Sequence, residues 1–252
     1  MKYEIKKFKD GQVSAKLIES GDLHIKIRGN TYEDLFSMAS IKEAWDYKNS
    51  TNKNLTATLT IYCLIGQRSD RRFNKLESFD LKIVTNFINT MHFDKVEILH
   101  PHSSVALALI NNSKELKNFN YVKKTYESIG NPILISPDAG AYKTTHEIAE
   151  KLDANLVPSN KIRINGAPVI KIQGDVKGKD CLIVDDIADG GRTFMFLAEE
   201  LKKQGANKVY LYVTHAQFNY GFEELKKHIN HVYCTNSYKD IEDSFVTQYK
   251  VI

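Results

Sequence analysis

Cysteine is scarce. Cys63, Cys181 and Cys234 are the only three in 252 residues. Each lies in an apolar, β-like run with no paired spacing, which argues against a disulfide framework or a cysteine metal site and for buried, reduced thiols. An excess of one charge is lacking too: 35 Lys and Arg stand against 31 Asp and Glu, a net charge of +4. That is too slight for the basic surface of a nucleic-acid binder, though it suits anionic small substrates. No apolar run is long enough to span a bilayer, and the opening "MKYEIKKFKDGQ" has no apolar signal-peptide core. The expectation is a cytoplasmic protein with neither membrane nor nucleic-acid partner. Low-complexity tracts and short-period repeats are also missing.

What is present is a recurring unit of apolar run, polar loop and helical pattern. "LTATLTIYCLI" (55–65), "KVEIL" (95–99), "NPILIS" (131–136), "CLIVD" and "KVYLYVTH" (208–215) read as strands. Between them, 78–91, the segment after His102, 146–152 and "FMFLAEELKKQG" read as helices. In the first, Phe79, Ile83, Phe87 and Met91 would share one face. Continuous apolar strands alternating with helices predict parallel sheets covered on both faces. A polar stretch at 112–130 marks a boundary between two α/β halves, and 158–180 reads as a loop followed by a short hairpin.

The segment "CLIVDDIADGGRT" carries the chemistry. Parallel α/β sheets place ligands beyond the C-terminal ends of their strands. There Gly190 and Gly191 let backbone N–H groups face outward ahead of a helix beginning near Thr193, an anion nest suited to a phosphate. Asp185 and Asp186 repel a phosphate but accept hydrogen bonds from vicinal hydroxyls. Together these features describe a ribose 5-phosphate socket.

The loop Asp185–Asp186 to Asp189-Gly190-Gly191-Arg192-Thr193 resembles the phosphoribosyl-binding loop of the type I phosphoribosyltransferase fold, with Arg192 where that family has glycine. Other segments resemble the ribose-phosphate diphosphokinases (PRPP synthetases) in family order over roughly 8–220: "FKDGQVSAKL", "GQRSDRRFNKLESFDLKIVTNFI", "VEILHPHSS", "ISPDAGAYKTTHEIAEKL", "NKIRI", "GDVKGKDCLIVDD" and "GANKVYLYVTHAQF". The fold implied is α/β, two parallel-sheet type I phosphoribosyltransferase-like domains related by pseudo-twofold symmetry. Their expected spans are 1–128, completed by the tail 245–252, and 129–244.

The resemblance implies transfer of the β,γ-diphosphate of ATP to the C1 hydroxyl of ribose 5-phosphate, with Mg²⁺. It implies catalytic Lys161 and Arg163 in a mobile loop, and ATP contacts from Phe8, Asp10, Gln12, Arg68, Ser69, Asp70 and His102. Metal ligation falls to His102 and Asp138, and sugar-phosphate binding to Asp185, Asp186, Asp189, Gly190, Gly191, Arg192 and Thr193. His100 stands at the family's aspartate position. A homo-oligomer built from dimers, a hexamer among the options, would share its active site through the Phe8 hairpin. On the resemblance, the family's first strand, first helix and terminal helix are expected to lack counterparts in these 252 residues. Three alternatives stay open: a substituted acceptor such as ADP-ribose, favoured by Arg192; a phosphoribosyltransferase; and a non-catalytic regulatory homologue.

Overall fold

The computed structural model describes residues 1–252 except 53, 73, 165 and 166 and the side chains of 161–169. The chain forms two units, Met1–Lys117 with Ile252, and Asn118–Val251.

The N-terminal unit begins with an antiparallel hairpin of β1 (Tyr3–Lys7) and β2 (Val13–Leu17). Then follow β3 (Leu23–Ile27), α1 (Tyr32–Lys48), β4 (Ala57–Ile61), α2 (Asp80–Asn89), β5 (Lys95–Leu99), α3 (Ser104–Leu109) and β6 (Ser113–Leu116). Helix α1 starts at a capping box: Thr31 Oγ1 accepts the Asp34 N–H at 3.0 Å while Asp34 Oδ2 accepts the Thr31 N–H at 3.1 Å. The sheet is parallel in the order β3-β4-β5-β6. Consecutive order with right-handed crossovers puts every helix on the same side. Accordingly Met38 and Ile41 of α1, Leu81 and Ile88 of α2 and Ala106 of α3 share one core with Ile25, Leu59 and Ile98.

The expected cover on both faces is thus not made within this unit. The other face carries a polar row, His24 Nε2 to Thr60 Oγ1 at 2.9 Å and Thr60 Oγ1 to Glu97 Oε2 at 3.1 Å, with Lys95 paired to Glu97. Helix α2 also turns differently from the reading of its sequence. Its buried residues are Leu81, Val84, Thr85 and Ile88, whereas Ile83 is 63 % exposed. The i, i+3, i+4, i+7 set starting at Leu81 gives the wider apolar stripe that a helix needs when it packs on a sheet.

The C-terminal unit contains α4 (Phe119–Ile129), β7 (Ile133–Ser136), α5 (Ala139–Leu152), β8 (Leu156–Ile164), β9 (Ala167–Ile172), β10 (Cys181–Ala188), α6 (Arg192–Lys203), β11 (Val209–Ala216), β12 (His231–Thr235) and β13 (Val246–Tyr249). Its sheet order is β13-β12-β11-β10-β7-β8-β9. The chain winds one way from β7 to β8 and the other way from β10 through β13, so the order reverses between β7 and β10. Helices therefore cover both faces: Val122, Tyr126 and Ile148 of α4 and α5 pack on Leu182 and Val184, and Phe194, Leu197 and Leu201 of α6 pack on Cys181 and Ile183.

Two boundaries shift from expectation. The polar stretch at 112–130 contains β6 and α4, and α4 belongs to the C-terminal unit. The tail expected to complete the N-terminal domain instead supplies β13, paired in parallel with β12 from Val232↔Val246 to Thr235↔Tyr249. There its Tyr249 Oη meets Thr125 Oγ1 at 3.0 Å. All three cysteines are buried and outside any disulfide, and burial pushes the Cys181 and Cys234 thiols up to about 12, so neither of these two is a ready nucleophile.

Close packing beside β4 depends on one glycine. Gly29 has φ +77°, and a Cβ there would lie 2.6 Å from Ile61 Cγ2. Gly29→Ala is expected to destabilise the N-terminal unit by about 2–4 kcal/mol, combining a left-handed backbone with overpacking. Urea unfolding followed by the fluorescence of the single Trp45 checks this; an unchanged midpoint would contradict it.

Candidate active site

Three acids meet where the strand order reverses, the position at which open α/β sheets bind ligands. β10 is buried from Cys181 to Val184 and only then carries the half-buried Asp185 and Asp186. Its parallel neighbour β7 ends at Ser136, and Asp138 follows as the N-cap of α5, accepting the Ala141 N–H at 3.0 Å. That cap lengthens α5 beyond the helix expected at 146–152. Asp186 N–H donates to Asp185 Oδ1 at 2.8 Å. Removal from water first, then the neighbouring charge of Asp186, and lastly that of Asp138, push the Asp185 carboxyl well above the usual carboxylate range. A cation or a pair of sugar hydroxyls arriving here would relieve that crowding.

The loop after β10 closes the cluster. Gly191 has φ +74° and precedes α6, whose first hydrogen bonds run from the Phe194 and Met195 N–H groups to the Gly191 carbonyl. The amides of Gly191, Arg192 and Thr193 therefore have no intrahelical acceptor. With the positive end of the helix dipole they suit an anion. The Arg192 side chain is exposed at the first helical position. Asp189 accepts a side-chain hydrogen bond from Asn219. Asp138, Asp185, Asp186 and Asp189 to Thr193 thus lie together where the sheet order reverses. The sequence reading missed Asn219, because its partner lies 30 residues away on another strand's loop.

In the N-terminal unit, two loops at neighbouring strand ends are tied together by Gln67, also missed. It is buried, and its Oε1 accepts the His102 N–H at 3.1 Å. The loop after β4 presents an exposed Arg68, and Ser69 accepts the Leu81 N–H through its carbonyl. Asp70 is only 4 % exposed, and both its oxygens are bound by Arg71, Nε to Oδ1 at 2.8 Å and Nη2 to Oδ2 at 3.1 Å. The Arg71 pair, rather than any open site, holds the Asp70 carboxyl below the usual range despite burial. Asp70 therefore aims Arg71, whose guanidinium is exposed. At the end of β5, His100 is buried with φ +39°, a conformation rare outside glycine, and its N–H reaches the Leu116 carbonyl. His102 beside it is exposed.

Phe8, Asp10 and Gln12 form the tip of the β1–β2 hairpin, a separate element. Phe8 N–H donates to the Gln12 carbonyl at 2.8 Å, and Asp10 Oδ1 accepts the Gln12 N–H, so the acid shapes the turn. Phe8 is 39 % exposed, with the Lys6 ammonium 4.5 Å from its ring centroid. Lys161 and Arg163 lie on β8, which leaves its parallel pairing with β7 at Pro158 and runs antiparallel to β9, Lys161↔Ile170 and Arg163↔Pro168. The expected loop is thus the first arm of a two-stranded ribbon; the two side chains lie outside the described residues. Among the described residues no three His, Cys, Asp or Glu side chains close into a metal cage. Asp138, Asp185 and Asp186 are hard oxygen donors of the kind Mg²⁺ takes one or two at a time beside phosphate oxygens.

The raised Asp185 carboxyl has a sign that can be tested. The folded state binds its proton more tightly than the unfolded state, so this group's contribution to stability falls as pH rises from the ordinary carboxylate range through the raised value. Asp185→Asn is expected to raise Tm at neutral pH, by about 2–4 °C per kcal/mol relieved, with the gain vanishing toward acid. Calorimetric scans across pH check it; a gain independent of pH would contradict the assignment.

The phosphoribosyl synthetase-associated domain model matches residues 134–245. The chain is 29 % identical over 241 residues to ribose-phosphate pyrophosphokinase of Pyrococcus furiosus, covering 93 % of this chain and 85 % of the relative. It is 30 % identical over 227 residues to ribose-phosphate pyrophosphokinase A of Dictyostelium discoideum, covering 85 % and 70 %. In fold it is similar to the crystal structure of phosphoribosylpyrophosphate synthetase from Mycobacterium smegmatis, with a TM-score of 0.81 at 20 % identity over 99 % of this chain and 86 % of that one. With the acid pair, the glycine turn and these relatives in view, the chain belongs to the ribose-phosphate pyrophosphokinase family.

Proposed function

We propose that this protein is an ATP-dependent diphosphokinase that moves the β,γ-diphosphate of ATP to the C1 hydroxyl of ribose 5-phosphate, yielding PRPP and AMP. One observation carries the reading: an acid pair and a glycine-turn anion nest stand together where the sheet order reverses. Asp185 and Asp186 accept hydrogen bonds from the ribose hydroxyls, with Asp189 beside them. The amides of Gly190, Gly191, Arg192 and Thr193 hold the 5-phosphate. The C1 oxygen attacks the β-phosphorus, the α–β anhydride bond breaks, and AMP leaves.

Such transfer needs positioning and charge neutralisation more than covalent chemistry. Arg68 and the exposed Arg71 are the cations offered to the ATP phosphates, with Ser69 in the same loop and Asp70 acting through Arg71. His102 sits by the nucleotide. Phe8 and Gln12 meet the adenine from the hairpin of a neighbouring copy in a homo-oligomer, with Asp10 holding the turn. Mg²⁺ would supply charge neutralisation at the phosphate oxygens; the ligand offered to it by the C-terminal unit is Asp138, and the one offered by the N-terminal unit is His102. Lys161 and Arg163 act on the transferred phosphates in the transition state. The setting is the cytoplasm.

A second acceptor is favoured by one observation: Arg192 is exposed at the phosphate loop, in place of the family's glycine. A substituted phosphate such as that of ADP-ribose would find a cation there. AMP release from ATP and Mg²⁺, with ribose 5-phosphate and ADP-ribose in parallel, decides between acceptors; silence with both from folded protein would overturn the activity. Lys161→Ala is expected to lower kcat by about 10²–10³ with ATP affinity nearly unchanged. A change confined to KM would remove the lysine from the transition state.

A further inference from the structure

The segment after β11 makes contacts that the proposed chemistry does not use. Its amides turn back onto the end of β10: the Gln217 and Phe218 N–H groups donate to the Ala188 carbonyl at 2.9 and 3.1 Å, and the Asn219 N–H to the Asp189 carbonyl at 3.2 Å. The Asn219 side chain then donates through Nδ2 to Asp189 Oδ1 at 2.7 Å. A tight turn follows, closed by the Gly221 N–H on the Phe218 carbonyl at 3.1 Å. Phe218 has φ +42°, costly for an aromatic residue. Burial holds it there: it is 4 % exposed, its ring centroid lies 4.9 Å from that of Phe222, and Phe222 meets Phe245 at 6.0 Å. Next in the turn, Tyr220 lies so near Gly190 that a Cβ on that glycine would come within 3.2 Å of its ring.

We infer that Asn219 is a positioning residue for the sugar-phosphate loop. Anchored by Phe218, its amide sets the orientation of the Asp189 carboxylate, while Tyr220 braces Gly190. The inference rests on the reading above, which puts Asp189 at the acceptor. An amide donor suits this role because an ionised carboxylate in its place could only accept and would turn away from Asp189. That difference provides a signature that mere structural damage does not share.

Asn219→Ala and Asn219→Asp, each in the full chain, test it. Asn219→Ala is expected to raise the acceptor KM about tenfold while the ATP KM and kcat stay within about twofold. Asn219→Asp is expected to be at least as impaired near about pH 8 and to recover as pH falls and a proton is shared with Asp189, a recovery that the alanine variant cannot show. Amide hydrogen exchange at 217–219 and 194–195, whose N–H groups are bonded to the carbonyls of Ala188, Asp189 and Gly191, is expected to quicken in both variants near that pH, and to slow again in acid, relative to wild type, only in the aspartate variant. An unchanged acceptor KM with wild-type exchange in Asn219→Ala, or an Asn219→Asp defect that is flat with pH, overturns the inference. If Asn219→Ala does not fold, Asn219→Ser, which keeps a shorter donor, takes its place in the same comparison. Wild-type protein that releases no AMP with either sugar would sink the activity, and the exchange data would still decide whether Asn219 holds the loop.

Discussion

Two carboxyls at the end of a strand buried on both faces set the terms for the C-terminal unit. Cys181 to Val184 are sealed between α6 on one side and α4 and α5 on the other. Each such buried side chain contributes about 1.5–3 kcal/mol, enough in sum to hold β10 in place while Asp185 and Asp186 crowd each other at its end. Charge can stand there only because the strand order reverses between β7 and β10 and opens a crevice beyond the strands. The same reversal brings in Asp138 from the start of α5. Burial first, and then repulsion from Asp186 and Asp138, raise the Asp185 carboxyl at the position where hydroxyls or a cation would relieve it.

Around that pair the supporting parts are tied down by hydrogen bonds and packing. Glycines permit the turn into α6, and the buried Phe218, packed on the half-buried Phe222, fixes the segment that reaches back to Ala188 and Asp189. The N-terminal unit uses the same economy. Gln67 joins its two strand-end loops, and a buried Asp70 spends both oxygens on aiming Arg71. In each case an inner polar residue fixes the outer one that would meet a substrate.

Much of this was legible in the sequence. Apolar runs at 95–99, 131–136 and 208–215 fell on strands, and the acid pair with its glycines fell at the end of β10 and the start of α6, where the sequence put the end of a buried strand and the turn into a helix. Three things were not legible, each for a physical reason. The role of Asp70 depends on burial, which a loop sequence such as Arg68–Arg72 does not disclose. The centre of the α2 face was not legible: of the expected Phe79, Ile83, Phe87 and Met91 only Ile83 turns outward, but packing on the sheet centres the buried stripe on Leu81, Val84 and Ile88. The tail became β13 rather than part of the N-terminal unit because pairing between strands distant in sequence is set by open sheet edges, not by local pattern.

The claim on which the account turns is that Asp185 and Asp186 hold the sugar. Calorimetric binding of ribose 5-phosphate to the double variant Asp185→Asn with Asp186→Asn, beside a non-hydrolysable ATP analogue as control, addresses it most directly. The account requires sugar affinity to fall by at least about tenfold, the loss of charged hydrogen-bond acceptors, while the nucleotide binds as before. Sugar affinity retained in a folded double variant would mean that the acids at the end of β10 serve something else.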